Sequence, residues 1–526
     1  MLSLFFAATL GAAPPLADTE RAFVSFRVAD DRARLHPSSR HDSSRRGRAA
    51  RCLALLDRVD ATLLGEEDRR AAAAMRRALS PENEAEDAFT RSVYEACGRA
   101  AEAIPFENET LDRLTILARL AAEPDPARRR RLFMTLKPVW ASIAGKPGEA
   151  SPYGELVRRR REVWSRRIDG SPFDRKAKEW GLAPDELESW LLQVLSAWRD
   201  AAVDGPPVEP WDWYYVNGAA DRAVEAALPL RTVIAAARRY NDDLGASPTR
   251  LGVALDLKPR RGKDPVAFTD FVRHGSYDNG AWRLGAFLIS ASYRTGGLGN
   301  LYELMHELGH GLHIAAIRAR PAFCDWPDSD VLTEALADLF GVEAYEPAWQ
   351  RRYLGAEATP LQAVRARLSG TMLDIAWALL EIRAHGDPTS DPSVLWADIT
   401  SRYLGIAGHP DLPWWALRGQ LIDAPGYMMN YAFGAILTEA LRARVRDLRG
   451  ADALEAPSPV LYLWLSDRLY RYGLARPSRE VVANTSTLLD SVSVRRLHLG
   501  QSEYWLNSRR ACSICATLQA SQYQTR

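Results

Sequence analysis

The stretch Leu304-Met305-His306-Glu307-Leu308-Gly309-His310-Gly311-Leu312-His313 sets two imidazoles one helical turn apart, with a carboxylate directly after the first. In an α-helix, residues i and i+4 return to nearly the same face. His306 and His310 can therefore reach one metal ion while Glu307, about 100° round the axis, points beside it. Zinc takes nitrogen ligands and, in catalytic sites, keeps one position open; Glu307 is placed to take a proton from water held there. A helix whose His and Glu are merely solvated or packed gives the same short pattern, so the reading depends on what else the chain offers.

A catalytic tetrahedral site needs a third protein ligand, and Glu334 is the candidate. It stands in Ser329-Asp330-Val331-Leu332-Thr333-Glu334-Ala335-Leu336-Ala337-Asp338-Leu339-Phe340, where Leu332, Leu336, Leu339 and Phe340 form an apolar stripe at helical spacing. Asp338, one turn on, shares the face of Glu334 and can accept the spare ring N–H of a ligating histidine; the plainer reading is an exposed helix acid. The longer pattern His-Glu-x-x-His-x-x-Gly-x-x-His is not met, because His313 and Ala316 stand where its Gly and third His belong. His313 is therefore expected behind the ligands or in the core.

Four motifs together carry a resemblance. The helix around His306, the Glu334 segment, Val253-Ala254-Leu255-Asp256-Leu257-Lys258-Pro259-Arg260-Arg261-Gly262-Lys263 and Pro425-Gly426-Tyr427-Met428-Met429-Asn430-Tyr431-Ala432-Phe433-Gly434 resemble the thimet oligopeptidase and oligoendopeptidase F family of zinc metallopeptidases. The likeness spans about residues 150 to 445, and the Glu-Ala-x-x-Asp form at Glu334 is also similar to the related peptidyl-dipeptidase A. It implies a mostly α, two-lobed fold around a deep channel, with a small antiparallel sheet beside the metal helix. It further implies one Zn2+ per chain on His306, His310 and Glu334, and oligopeptide substrates. Tyr431 first, and Tyr427 second, would stabilise the oxyanion, since a phenol O–H aimed at the developing charge favours the transition state. Without the metal motif the two tyrosines would read as core. Family members also carry a His shortly before the first Tyr; residues 418 to 426 hold none, and the nearest is His409. A peptidase-derived binding protein without turnover, or a peptidyl-dipeptidase, is the alternative.

Composition agrees with a large enzyme. The 526 residues, 47% apolar, can bury an extensive core, and 68 Lys plus Arg against 67 Asp plus Glu leave no field that would attract nucleic acid. The apolar run Leu2 to Ala13 is too short to span a membrane and ends in small residues, so Met1 to Ala17 reads as a secretory signal, with a secreted or periplasmic mature chain and a cytoplasmic one as the alternative. No other segment is apolar enough for stable membrane insertion. Five cysteines show no framework, and Cys512 with Cys515 reads as an incidental tail pair.

The expected order is a signal at 1–17, a helical region at 18–145 with little periodicity over 18–50, a catalytic domain at 146–495 and a tail at 496–526. Strands are expected at 250–257, 266–273 and 282–293, with Trp282 to Ala291 as the edge strand that pairs with an extended substrate.

Overall fold

Four helices converge on one region of the molecule. The metal helix, Leu298–Ala316, buries Leu301, Leu304, Met305, Leu308 and Leu312 on one side and leaves His306 and His310 partly open. The glutamate helix, Asp330–Gly341, starts where the Ser329 hydroxyl accepts the Leu332 N–H at 3.4 Å, satisfying one of the free donors of a helix start. The long helix, Pro360–Gly386, opens with a capping box between Thr359 and Gln362. The tyrosine helix is Met428–Arg449. This computed structural model describes residues 15–35, 41–80 and 88–487, apart from 169, 204, 261–262, 264–265 and 279–280, and among them the fold is mostly helical. No described helix is long and apolar enough to cross a membrane.

The described strands are short. β1 (Ile104–Phe106) and β2 (Glu109–Leu111) form a hairpin that the apolar spacing did not reveal. β3 (Ala254–Asp256), β4 (Phe268–Arg273), β5 (Ser276–Asp278), β6 (Ala281–Arg283) and β7 (Ala286–Ser290) follow in the region where strands were expected. The three-stranded sheet has the order β3-β7-β4, with β7 parallel to β3 and antiparallel to β4. The sheet is thus mixed, not antiparallel. Nor is Trp282 to Ala291 one edge strand: it divides at Leu284 and Gly285, β6 pairing with β5 while β7 takes the centre. The reason is burial. Ala286, Phe287, Ile289 and Ser290 are all buried, and a strand covered on both faces belongs inside a sheet. β4 is the edge on the side of Glu307.

Two large apolar clusters meet along the glutamate and tyrosine helices. One holds Phe133, Trp140, Trp377, Trp414 and Trp415, and the other Phe287, Leu304, Leu336, Phe340 and Tyr470. Val331 belongs to the first and Leu332 to the second; Met429 and Phe433 to the first, Leu441 and Val445 to the second. A buried ion cluster ties the tyrosine helix to the turn that follows the glutamate helix, Arg442 reaching Glu343 and Glu346 at 2.7 Å each and Glu439, on its own helix, at 3.0 Å. Removing one partner would strand a buried charge, at a cost of about 3–5 kcal/mol.

Residues 18–50, whose sequence shows little periodicity, are largely helical, in Pro15–Leu35 and His41–Leu56. Leu16, Phe23, Phe26, Cys52 and Leu56 share a third cluster with Phe323. Polar contacts also fasten these helices, among them Arg320 to Glu20 at 2.7 Å and His274 Nδ1 to Asp31 Oδ1 at 2.9 Å. Of the expected signal, Met1 to Pro14 lie outside the described residues, as do Cys512 and Cys515.

The two metal-site helices touch through glycines. A Cβ on Gly309 would stand 2.3 Å from the carbonyl oxygen of Ala337, and one on Gly341 would stand 3.2 Å from the backbone nitrogen of His306. Gly309→Ala should therefore push the helices apart, costing about 1–3 kcal/mol as overpacking does. A lowered thermal midpoint and weaker uptake of an added divalent metal would show it. Gly370→Ala, where a Cβ meets nothing within 4 Å, should lower neither.

Candidate active site

Helical spacing puts His306 and His310 on one face, and the packing of the glutamate helix brings Glu334 to them. One ligand atom from each lies within 4.8 Å of the others, with His306 Nε2 at 3.4 Å and His310 Nε2 at 3.9 Å from Glu334 Oε2. A tetrahedral zinc with bonds of about 2.0–2.2 Å holds its ligand atoms roughly 3.3 Å apart. Glu334 Oε2 is buried and has no hydrogen-bond partner, although both imidazoles face it. A cation held between the three ligand atoms would satisfy this orphaned buried oxygen. No other group of three such side chains is found among the described residues.

Asp338 stands behind the first histidine. Its Oδ1 lies 2.7 Å from His306 Nδ1 and accepts the Tyr302 hydroxyl at 3.0 Å. With the Nδ1 proton held by Asp338, a metal that displaced the Nε2 proton would find that nitrogen's lone pair turned toward Glu334. Burial disfavours a charge on His306, but Asp338 and Glu334 outweigh it and hold its pKa well above the ordinary imidazole value. Burial, then the neighbouring His306 and His313, push His310 well below that value. His313 lies outside the ligand cage, buried between Trp326 and Tyr470 with ring centroids at 5.8 and 5.4 Å. Trp326 also packs on His310 at 5.7 Å, so His313 meets the site through that indole.

Glu307 is 6% exposed. The hydroxyl of Thr269, on β4, donates to Glu307 Oε2 at 2.6 Å and lies 2.9 Å from the Glu307 carbonyl oxygen. Burial raises the pKa of Glu307 above the usual carboxylate value, and the nearby His306 opposes the rise. A base nearer neutrality is better matched to taking and returning a proton.

The tyrosines divide. Tyr427 donates to Glu334 Oε1 at 3.0 Å, and its ring lies 5.4 Å from that of Tyr431. Burial first, then Glu334, raises the pKa of each phenol, so both stay protonated donors near neutral pH. Thr269, Tyr302 and Trp326 were missed in the sequence. Tyr302 is one helical turn before His306, a signal that spacing could have shown; Thr269 and Trp326 arrive from other elements.

No family model matches the chain, and no curated protein does. Solved structures do. Trypanosoma cruzi metallocarboxypeptidase 1 superposes with a TM-score of 0.52 at 15% identity, covering 94% of this chain and 99% of that one. PZ peptidase A gives 0.58 at 16%, covering 97% and 86%. A protein provisionally named oligoendopeptidase F gives 0.58 at 14%, covering 99% and 98%. The chain thus has the fold of the helical metallopeptidases.

If His306, His310 and Glu334 hold a divalent metal, replacing Asp338 by Ala should weaken its binding about 10–100-fold by freeing the His306 ring. Competition with a chromophoric chelator measures it; unchanged affinity would reduce Asp338 to a surface acid.

Proposed function

We propose that this protein is a zinc-dependent peptidase that hydrolyses peptide bonds in short oligopeptides. The carrying observation is the convergence of His306, His310 and Glu334 beside a buried Glu307 that Thr269 holds in place. His306, His310 and Glu334 would hold the metal. Zinc there supplies Lewis-acid polarisation and acidifies a water molecule. Glu307 takes the proton of the attacking water and returns it to the leaving amine. Tyr431, whose hydroxyl is not engaged with Glu334, donates to the carbonyl oxygen as its charge develops, with Tyr427 beside it. β4 offers a sheet edge next to Glu307, and an extended peptide added there would be held by its backbone, whatever its side chains. Oligopeptidases and a carboxypeptidase share this fold, and the length of the released products separates internal from terminal cleavage.

Quenched fluorescent peptides and metal analysis test the reading. Glu307→Gln should keep one zinc per chain and lose turnover by several orders of magnitude. A fully active Glu307→Gln enzyme would sink the mechanism, and a zinc-loaded wild type inert on every peptide would favour a binding protein.

Tyr431→Phe should lower kcat by roughly a hundredfold with KM little changed, as for a donor that acts in the transition state. An effect on KM alone would make Tyr431 a substrate-binding residue.

A further inference from the structure

Residues 417 to 427 connect the core to the tyrosine helix, and side chains from three separate elements hold this segment. Arg113 donates to the Leu417 carbonyl, and Arg160 donates to the carbonyls of Leu421, at 2.8 Å, and Ile422. The last anchor is Glu381 of the long helix, whose Oε1 accepts the Gly426 N–H at 3.1 Å. Gly426 has φ +82° and sits directly before Tyr427, so this bond closes the tight turn from which the tyrosine helix starts.

Glu381 is a costly residue to keep there. It is 0% exposed. Its Oε2 has no partner, and neither do the Tyr153 hydroxyl and His385 Nε2 close by. The surroundings are aromatic: Tyr153, Trp164 and Phe173 pack on His385 with centroids at 6.1, 5.1 and 5.2 Å. Burial pushes the carboxyl up to about 8, against the Gly426 N–H and the charge of Arg160. An apolar side chain of that volume would pack at lower free energy. What an apolar side chain lacks is an acceptor for the Gly426 amide.

We propose that Glu381 is a positioning residue for the tyrosine pair: by holding the Gly426 turn, it fixes where the helix begins and hence where the Tyr427 and Tyr431 hydroxyls stand relative to Glu334 and Glu307. This rests on the tyrosines' role proposed above. A shift of about 1 Å at such a donor costs on the order of a hundredfold in rate. Neither Glu381 nor Gly426 touches the ligand cage; they reach it only through the Tyr427 hydrogen bond to Glu334, so at saturating metal the stoichiometry is kept.

The test uses the full zinc-loaded chain. Glu381→Leu, which removes the acceptor, should lower kcat about a hundredfold with KM and zinc stoichiometry kept. Glu381→Gln, which keeps a carbonyl acceptor, should restore activity to within about threefold of wild type, and in a Tyr427→Phe, Tyr431→Phe background Glu381→Leu should add little. Wild-type kcat in Glu381→Leu, or effects that multiply in the combined variant, would overturn the inference. Should Glu381→Leu fail to fold, Glu381→Met is read in the same way. Hydrogen exchange of the segment 424–427, followed by mass spectrometry, needs no turnover: slow exchange in wild type and Glu381→Gln with fast exchange in Glu381→Leu is expected. Fast exchange in wild type would overturn Glu381's role even if the peptidase assay succeeds, whereas an inert wild type with a protected turn would count against the peptidase reading alone.

Discussion

The contact of the metal helix with the glutamate helix is the constraint on which the rest of the structure depends. Two ligands come from one helix and the third from another, yet a zinc ion requires all three atoms within a few ångströms of one another. Helix axes ordinarily stay about 8–10 Å apart, at a distance set by the side chains between them. Gly309 against Ala337 and Gly341 against His306 remove those side chains at the crossing. The tyrosine helix must then follow the glutamate helix closely, and the Arg442 cluster with Glu343, Glu346 and Glu439 fixes it there.

Charge sets a second requirement. Glu307, Glu334 and Asp338 surround two imidazoles in a largely buried space. Buried carboxylates need compensation. Part of it comes from hydrogen bonds, with Thr269 on Glu307, Tyr427 on Glu334 and Tyr302 on Asp338. The rest comes from positive charge, which a dication at the three converging ligand atoms supplies more fully than a proton on His306. Burial first, and then the carboxylate of Glu334, keeps Tyr427 and Tyr431 as phenols, and so as donors.

The site was legible because its spacing is local. His306, Glu307 and His310 share one helix, and Glu334 with Asp338 another, so a period of 3.6 residues grouped each set, while the joining of the two sets came from the need for a third ligand and from the resemblance. Thr269 and Trp326 were not legible, since only tertiary contact brings them to Glu307 and His310. The sheet failed for the same reason. Three strands were recognisable between residues 250 and 293, but their order is decided by which strand both neighbours cover, and the pattern around Leu284 and Gly285 does not state it. The helices within residues 18–50 were hidden differently. They are held by a few apolar anchors, among them Phe23, Phe26 and Ala49, and by polar contacts of Glu20 with Arg320 and Asp31 with His274, and so carry no continuous apolar stripe.

The corrected sheet order strengthens the chemical argument. Had Trp282 to Ala291 been the edge, the strand offered to an extended peptide would have made no hydrogen bond to the general base. With β4 at the edge, Thr269 belongs both to the strand that would hold the substrate backbone and to the hydrogen bond that holds Glu307. Displacing β4 then moves the base as well as the peptide. On the proposed mechanism, substrate register and proton transfer would be coupled through Thr269, so a peptide that pulled β4 out of line would meet a carboxylate no longer aimed at the attacking water.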